Sequence, residues 1–163
     1  MITKLALVGM LGLLSPFGHG PVKTTHRKVA GWTLTVSHDS FSQSTRCALR
    51  RSKAIVFRHA LVFRLPAQVD TSAAVYRIDG GPPMRVENDA MDLARLGFAL
   101  TDDDLDNPSG GLVRIPQDKF LRASRSVAIE ATPGRRVASF RIDGLTAAMD
   151  RAAALGCKAD SFD

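Results

Sequence analysis

Two cysteines, one tryptophan and one tyrosine in 163 residues leave several chemistries without their parts. There is no CxxC pair, so a redox dithiol of that type is not expected. The four histidines, His19, His26, His38 and His59, show no HxxxH or HExxH spacing. No GxSxG elbow, P-loop or GxGxxG is present, and with them go the motif routes to hydrolase, nucleotide and dinucleotide sites. Apolar runs are short as well. The longest, Leu5–Leu14, is half the roughly 20 residues that a membrane-spanning helix needs. Aromatics make up 6% of the chain, so aliphatic side chains and the eight phenylalanines must fill most of a core.

Within those bounds the chain reads as one globular domain, 45% hydrophobic and 23% charged. The net charge is +6 and the pI about 9.9, which favours anionic partners without choosing among them. Residues 1–20 place one lysine, Lys4, before the apolar run and small residues after it, the pattern of a secretory signal peptide. The expected destination is the periplasm or the medium. An oxidising compartment makes a Cys47–Cys157 disulfide the natural pairing, two separate buried thiols being the alternative.

Downstream of the signal, residues 21–30 read as a basic lead-in and 31–163 as a single domain. "WTLTVS" alternates from Trp32 and reads as a half-buried strand, followed by a polar turn at His38–Thr45 and a strand carrying Cys47. Ala54–Leu65 reads as one long bent strand or a pair. Strands at Ala73–Asp79, 112–116 and on both sides of "TPGR" (Thr132–Arg135) follow, with hairpin signals at Asp79-Gly80-Gly81. Residues 89–100 read as one or two irregular helical turns. A closing helix begins at Asp143, its expected cap, with Leu145, Ala148, Met149 and Ala152 on its apolar side and Gly156 at its end. The expected fold is a mainly antiparallel β-sandwich with one C-terminal helix; the alternative is an α+β fold on a single curved sheet.

Candidate chemistry is sparse. Asp102, Asp104 and Asp106 alternate as in a calcium loop, but Asn107 and Val113 stand where Gly and a bidentate Glu are required, so the loop reads as solvated. His38, Asp39 and Ser40 are neighbours in sequence, which does not supply the geometry of a triad. An apolar–Arg–apolar pattern recurs at Arg58, Arg64, Arg77, Arg114 and Arg141. Period-two geometry turns each guanidinium away from its neighbours, giving either edge protection or an anion-binding face. Finally, "AVYRIDGG" (Ala74–Gly81) and "ASFRIDGL" (Ala138–Leu145) are nearly the same phrase; Asp79-Gly80 and Asp143-Gly144 are read as strand-end signals in both.

The order of these features, "GWTLTVS" with Trp32, a cysteine strand, "YRIDGG" and the terminal "ASFRIDGLTAAMDRAAALGC", resembles small envelope proteins of Gram-negative bacteria. In the invasion-associated locus B proteins the chain ends with a strand running into a Gly-aromatic-Thr-Ala-Ala helix. Here Gly144-Leu145-Thr146-Ala147-Ala148 has Leu in the aromatic place. In a periplasmic accessory family of type VI secretion, a "yRiD" strand precedes a terminal "F…GL…A…C" segment, matched by Tyr76–Asp79 and by Phe140, Gly144, Leu145 and Cys157. The chain departs from the first family in lacking its further cysteines, one of them close after the Trp. Neither family offers a catalytic set, so the resemblance implies a periplasmic β-sandwich and not a reaction; no cofactor is expected.

The functional expectation is an exported, non-enzymatic binding or accessory module with a basic sheet face. Its partner would be an envelope protein or an anionic envelope polymer, without nucleic acid and with membrane contact at most peripheral. The alternatives are a small periplasmic hydrolase and an adaptor for an anionic polymer.

Overall fold

Alternating side chains from Val22 onward build the first sheet. The computed structural model describes residues 22–66, 69–98, 111–121, 123–132, 134 and 136–162. The expected signal and the Asp102–Asp106 loop lie outside the described residues. The segment expected as a lead-in is instead a strand, β1 (Val22–Val29), paired along its whole length with β2 (Trp32–Asp39). Lys, Arg and His lie on it beside β-branched Val and Thr, and charge on an exposed edge strand is compatible with pairing. The Ala30-Gly31 turn between them has φ of 47° and 86°, the two positive values of a tight hairpin turn.

The meander continues through β3 (Ser44–Arg51), β4 (Ala54–Phe57) and β5 (Ala60–Arg64), with β8 (Leu112–Pro116) completing the six-stranded order β1-β2-β3-β4-β5-β8. The Ala54–Leu65 stretch is therefore a pair of strands, broken at Arg58-His59 where Arg58 takes φ 49°. The second sheet holds β6 (Val75–Ile78), β7 (Met84–Arg85), β9 (Ser126–Glu130) and β10 (Val137–Arg141) in the order β10-β9-β6-β7. All of the pairings between these strands are antiparallel. Trp32, Leu34, Leu49, Val56 and Phe63 of the first sheet share one core with Tyr76, Val127 and Ile129 of the second. That is a β-sandwich, and the single curved sheet is excluded by the separate second sheet.

β5 and β8 depart from simple alternation because both of their faces are covered. Leu61, Phe63, Val113 and Ile115 enter the main core, while Ala60 packs outward on Leu93 and Phe98. Leu93 belongs to α1 (Ala90–Arg95), a short helix entered through the tight turn Val86–Asp89. The buried Asp89 fixes this corner: it accepts the Tyr76 hydroxyl at 2.7 Å and faces Lys119 Nζ at 3.4 Å.

α2 (Leu145–Ala153) closes the fold with Leu145, Ala148 and Ala152 buried. Its N-cap is Gly144 at φ 76° and not Asp143, because the Asp143 carboxylate is held by arginines. Beyond the helix, Cys157 is bonded to Cys47 of β3, and Phe162 lies parallel to Cys47 in a single bridge. No helix among the described residues is long and apolar enough to cross a membrane.

Candidate binding surfaces

The repeated phrase is structural in both copies. Asp79 adopts φ 50° and its carboxylate reaches across to β9, accepting the backbone N–H of Arg125 at 2.9 Å and of Ser126 at 2.8 Å. These donors, Arg125 foremost, hold its carboxyl below the usual carboxylate range. Gly80 at φ 73° then lets the chain turn toward β7. In the second copy, Arg141 donates to both Asp143 oxygens at 3.1 Å, and Arg51 approaches Asp143 Oδ1 at 3.1 Å. The hydrogen bonds from Arg141 are the main cause of a lowered Asp143 carboxyl, with the charges of Arg51 and Arg141 adding to it. The Asp143 carbonyl also accepts the indole N–H of the fully buried Trp32 at 3.1 Å. Trp32, Arg51 and Asp143 thus tie the start of α2 to the first sheet.

The five arginines of the apolar–Arg–apolar pattern do not share a face. Arg58 sits in the β4–β5 turn with its guanidinium over the Phe57 ring at 5.4 Å, and Arg64 is exposed at the end of β5. Arg77 and Arg141 are exposed on the other sheet, on strands that flank β9. Arg114 is buried, 5.9 Å from the Phe98 ring. Alternation correctly turned Arg114 away from the main core, but on β8 the outer face is covered by the α1 corner. Local periodicity says which way a side chain points, not which sheet it belongs to or what lies on top.

A basic face does exist, made of other residues. On the outer side of β1–β3, strand register aligns Lys28, Thr33 and Arg50 in one row, His26, Thr35 and Ala48 in the next, then Thr24, Ser37 and Arg46. Neighbouring strands lie about 4.8 Å apart, so Lys28 and Arg50 stand roughly 10 Å apart across the Thr33 hydroxyl. Lys28, Arg46 and Arg50 are exposed, and none has an ion pair among the described residues. Side-chain contacts between the rows' hydroxyls and imidazole stiffen the surface: Thr24 to Ser37 at 3.1 Å and His26 to Thr35 at 3.0 Å. Asp39 stands one row further on, between Val22 and Ser44, and its carboxylate already accepts the Phe41 N–H at 2.8 Å and the Ser42 hydroxyl at 2.8 Å. The sequence signal was available at Thr24, His26 and Lys28, but reading residues 21–30 as a lead-in concealed the strand.

The His38–Asp39–Ser40 neighbourhood is not arranged as a triad. Consecutive strand residues point to opposite faces; the His38 ring meets the Thr45 hydroxyl at 3.4 Å, while Asp39 engages Ser42. Elsewhere, His59, Asp92, Asp118 and Asp150 border a cleft of about 780 Å³ between α1 and α2. Among the described residues, no three His, Cys, Asp or Glu side chains are placed to hold a metal ion.

Compared with known proteins, the chain matches no family model, no curated protein and no solved structure.

Proposed function

We propose that this protein is an exported, non-enzymatic binding module of the bacterial envelope, attaching to a phosphate-bearing anionic component through the outer face of β1–β3. The observation that carries the reading is the set of exposed cations, Lys28, Arg46 and Arg50, without an ion pair among the described residues and spaced around hydroxyl rows on one sheet face. Arginine forks and a lysine point charge suit phosphates, and hydroxyls between them suit a hydroxyl-rich polymer. The Cys47–Cys157 bond supports an oxidising compartment, and residues 1–20 support export to the periplasm.

The test is binding to purified lipopolysaccharide and, separately, to vesicles containing phosphatidylglycerol. The Lys28→Gln/Arg46→Gln/Arg50→Gln variant is expected to lose at least tenfold in affinity, and Arg58→Gln/Arg77→Gln to lose little. Equal behaviour of the two variants would sink the assignment. The anion is the lipid headgroup if vesicles bind as well as lipopolysaccharide, and the polymer if they do not. Protein recovered from the envelope is expected to lack the leader and to gain two hydrogens on reduction, as read by intact mass.

A further inference from the structure

Among the described residues, four strands end the two sheets: β1 and β8 in the first, β10 and β7 in the second. An edge strand offers backbone N–H and C=O groups to any chain that can lie beside it. Edges are ordinarily blunted by charge, proline, brevity or a covering element. Three of these edges are blunted. β1 carries Lys23, His26, Arg27 and Lys28; β7 has two residues; β8 ends at Pro116 and packs against the Val86–Asp89 turn and α1. β10 reads Val-Ala-Ser-Phe-Arg, and its one cation, Arg141, stands at the last position and is engaged by Asp143.

The parity of the ladder says which groups are open. Ile142 donates its N–H to the Arg125 carbonyl at 2.8 Å, and on the far side of β9 the Asp79 N–H reaches the Ser126 carbonyl at 3.0 Å. Hydrogen-bonding direction alternates along an antiparallel strand, so Ala138 and Phe140 face β9. The backbone groups of Val137, Ser139 and Arg141 therefore face the open edge.

Beside that edge lies a cleft of about 840 Å³, walled by Leu65, Val69, Ile129 and the half-buried Ala138 and Phe140. Lys53 and Arg136 stand on its border against one acid, Asp70, whose carboxylate already accepts the Ser72 N–H at 2.8 Å. We propose that β10 and this cleft capture an extended peptide of a partner protein by strand addition, with alternate apolar side chains entering the cleft and an acidic residue meeting Lys53 or Arg136. Main-chain bonds would give affinity and the pocketed alternate side chains specificity. An acyl chain could fill the cleft but would leave the open backbone groups of β10 unmet.

The experiment selects binders from a displayed library of random ten-residue peptides and uses the best one, synthesised, as the probe. Selected sequences are expected to alternate apolar residues and to carry Asp or Glu. Ser139→Pro removes an N–H that does not bond β9, a position where an edge strand tolerates proline, and is expected to weaken the probe at least tenfold. Lys53→Glu, in a turn outside the strand, is expected to weaken it severalfold. The proposal is overturned if no peptide is selected, or if the probe binds both variants as it binds the parent. It is likewise overturned if the edge pairs with a second copy, seen as a concentration-dependent dimer that Ser139→Pro removes. None of these readouts involves Lys28, Arg46 or Arg50, so this proposal and the anion-binding face stand or fall separately.

Discussion

Asp79 and Asp143, the aspartates of the two near-identical phrases, meet at the same residue, Arg125. The Asp79 carboxylate accepts the Arg125 N–H at 2.9 Å, and the Asp143 N–H donates to the Arg125 carbonyl at 3.1 Å. β6 and β10, which carry the two copies, lie on either side of β9, whose first residue is Ser126. Each copy ends where its chain must leave that shared strand. The repetition marks two departures from one strand, made by opposite halves of the aspartate.

Asp79 is expected to matter through what it accepts. Replacing it with Ala leaves the Arg125 and Ser126 N–H groups without their carboxylate and puts an alanine at φ 50°. At an exposed site these changes sum to about 2 kcal/mol. Asp79→Asn keeps an acceptor and a residue tolerant of that φ, so about half the loss is expected. Urea unfolding of the two variants checks the order; equal stability of Ala and parent would contradict the clamp.

Acid should weaken the fold through these same groups. Asp70, Asp79 and Asp143 are all lowered from an ordinary value of 3.8, by the Ser72, Arg125 and Arg141 hydrogen bonds respectively. A lowered carboxyl contributes stability that is present above the unfolded value and lost as pH falls through the folded one. Thermal midpoints are therefore expected to decline below about pH 4, with a shallower decline in Asp79→Asn. A decline of equal steepness in parent and variant would remove Asp79 from the cause.

Much of this architecture was legible from local pattern, and what was missed has a common reason. Trp32 and Leu34 alternate with threonines, and the Asp79-Gly80 turn and the terminal helix announce themselves in short windows. The assembly of distant segments does not. Arg114 obeys its local period and is buried all the same, because Leu93 and Phe98 come from a segment that its own strand says nothing about. Asp143 looks like a helix cap until Arg51, from β3, is set beside it. Lys28 and Arg50 become one surface only when register aligns them across Thr33.

Gly144 is expected to be far less replaceable than Gly80. A Cβ on Gly144 would stand 2.5 Å from Ala30 Cβ and 2.6 Å from the Ala30 carbonyl oxygen, at φ 76°. Backbone on one side and a hairpin turn on the other leave little to give, so Gly144→Ala should cost about 3 kcal/mol or more. Gly80 has a similar φ of 73° but open space, and Gly80→Ala should cost about 1 kcal/mol. Denaturant midpoints decide; similar costs would mean that the α2 start moves away from the Ala30-Gly31 turn freely.

Tyr76, the one tyrosine in the chain, makes the α1 corner spectroscopically visible. Burial, and next its hydrogen bond to Asp89, push the phenol far above its ordinary value of 10.0. A folded protein that keeps this proton while the unfolded chain releases it loses stability as pH rises beyond about 10. Absorbance at about 295 nm, where the phenolate absorbs, should stay flat through that pH and rise only with unfolding. A reversible phenolate titration near 10 in the folded protein would show that the Tyr76–Asp89 contact opens to water.

The Cys47–Cys157 bond closes a sequence separation of 110 residues and holds the end of the chain against β3. Chain entropy alone gives about 4–5 kcal/mol as an upper figure, and native-state relaxation usually leaves less. A loss of about 3 kcal/mol, or roughly 10 °C in thermal midpoint, is therefore expected for Cys47→Ala/Cys157→Ala. The loss should have a local signature. Phe162 bridges Cys47 and its carbonyl accepts the Arg58 N–H at 3.1 Å, so both contacts depend on the anchored tail. Hydrogen exchange should accelerate at Arg58 and along 157–162 in the double variant, while Trp32 and Leu34 in the core keep their protection. Uniform acceleration throughout the chain would instead mean that the bond acts only on the unfolded state.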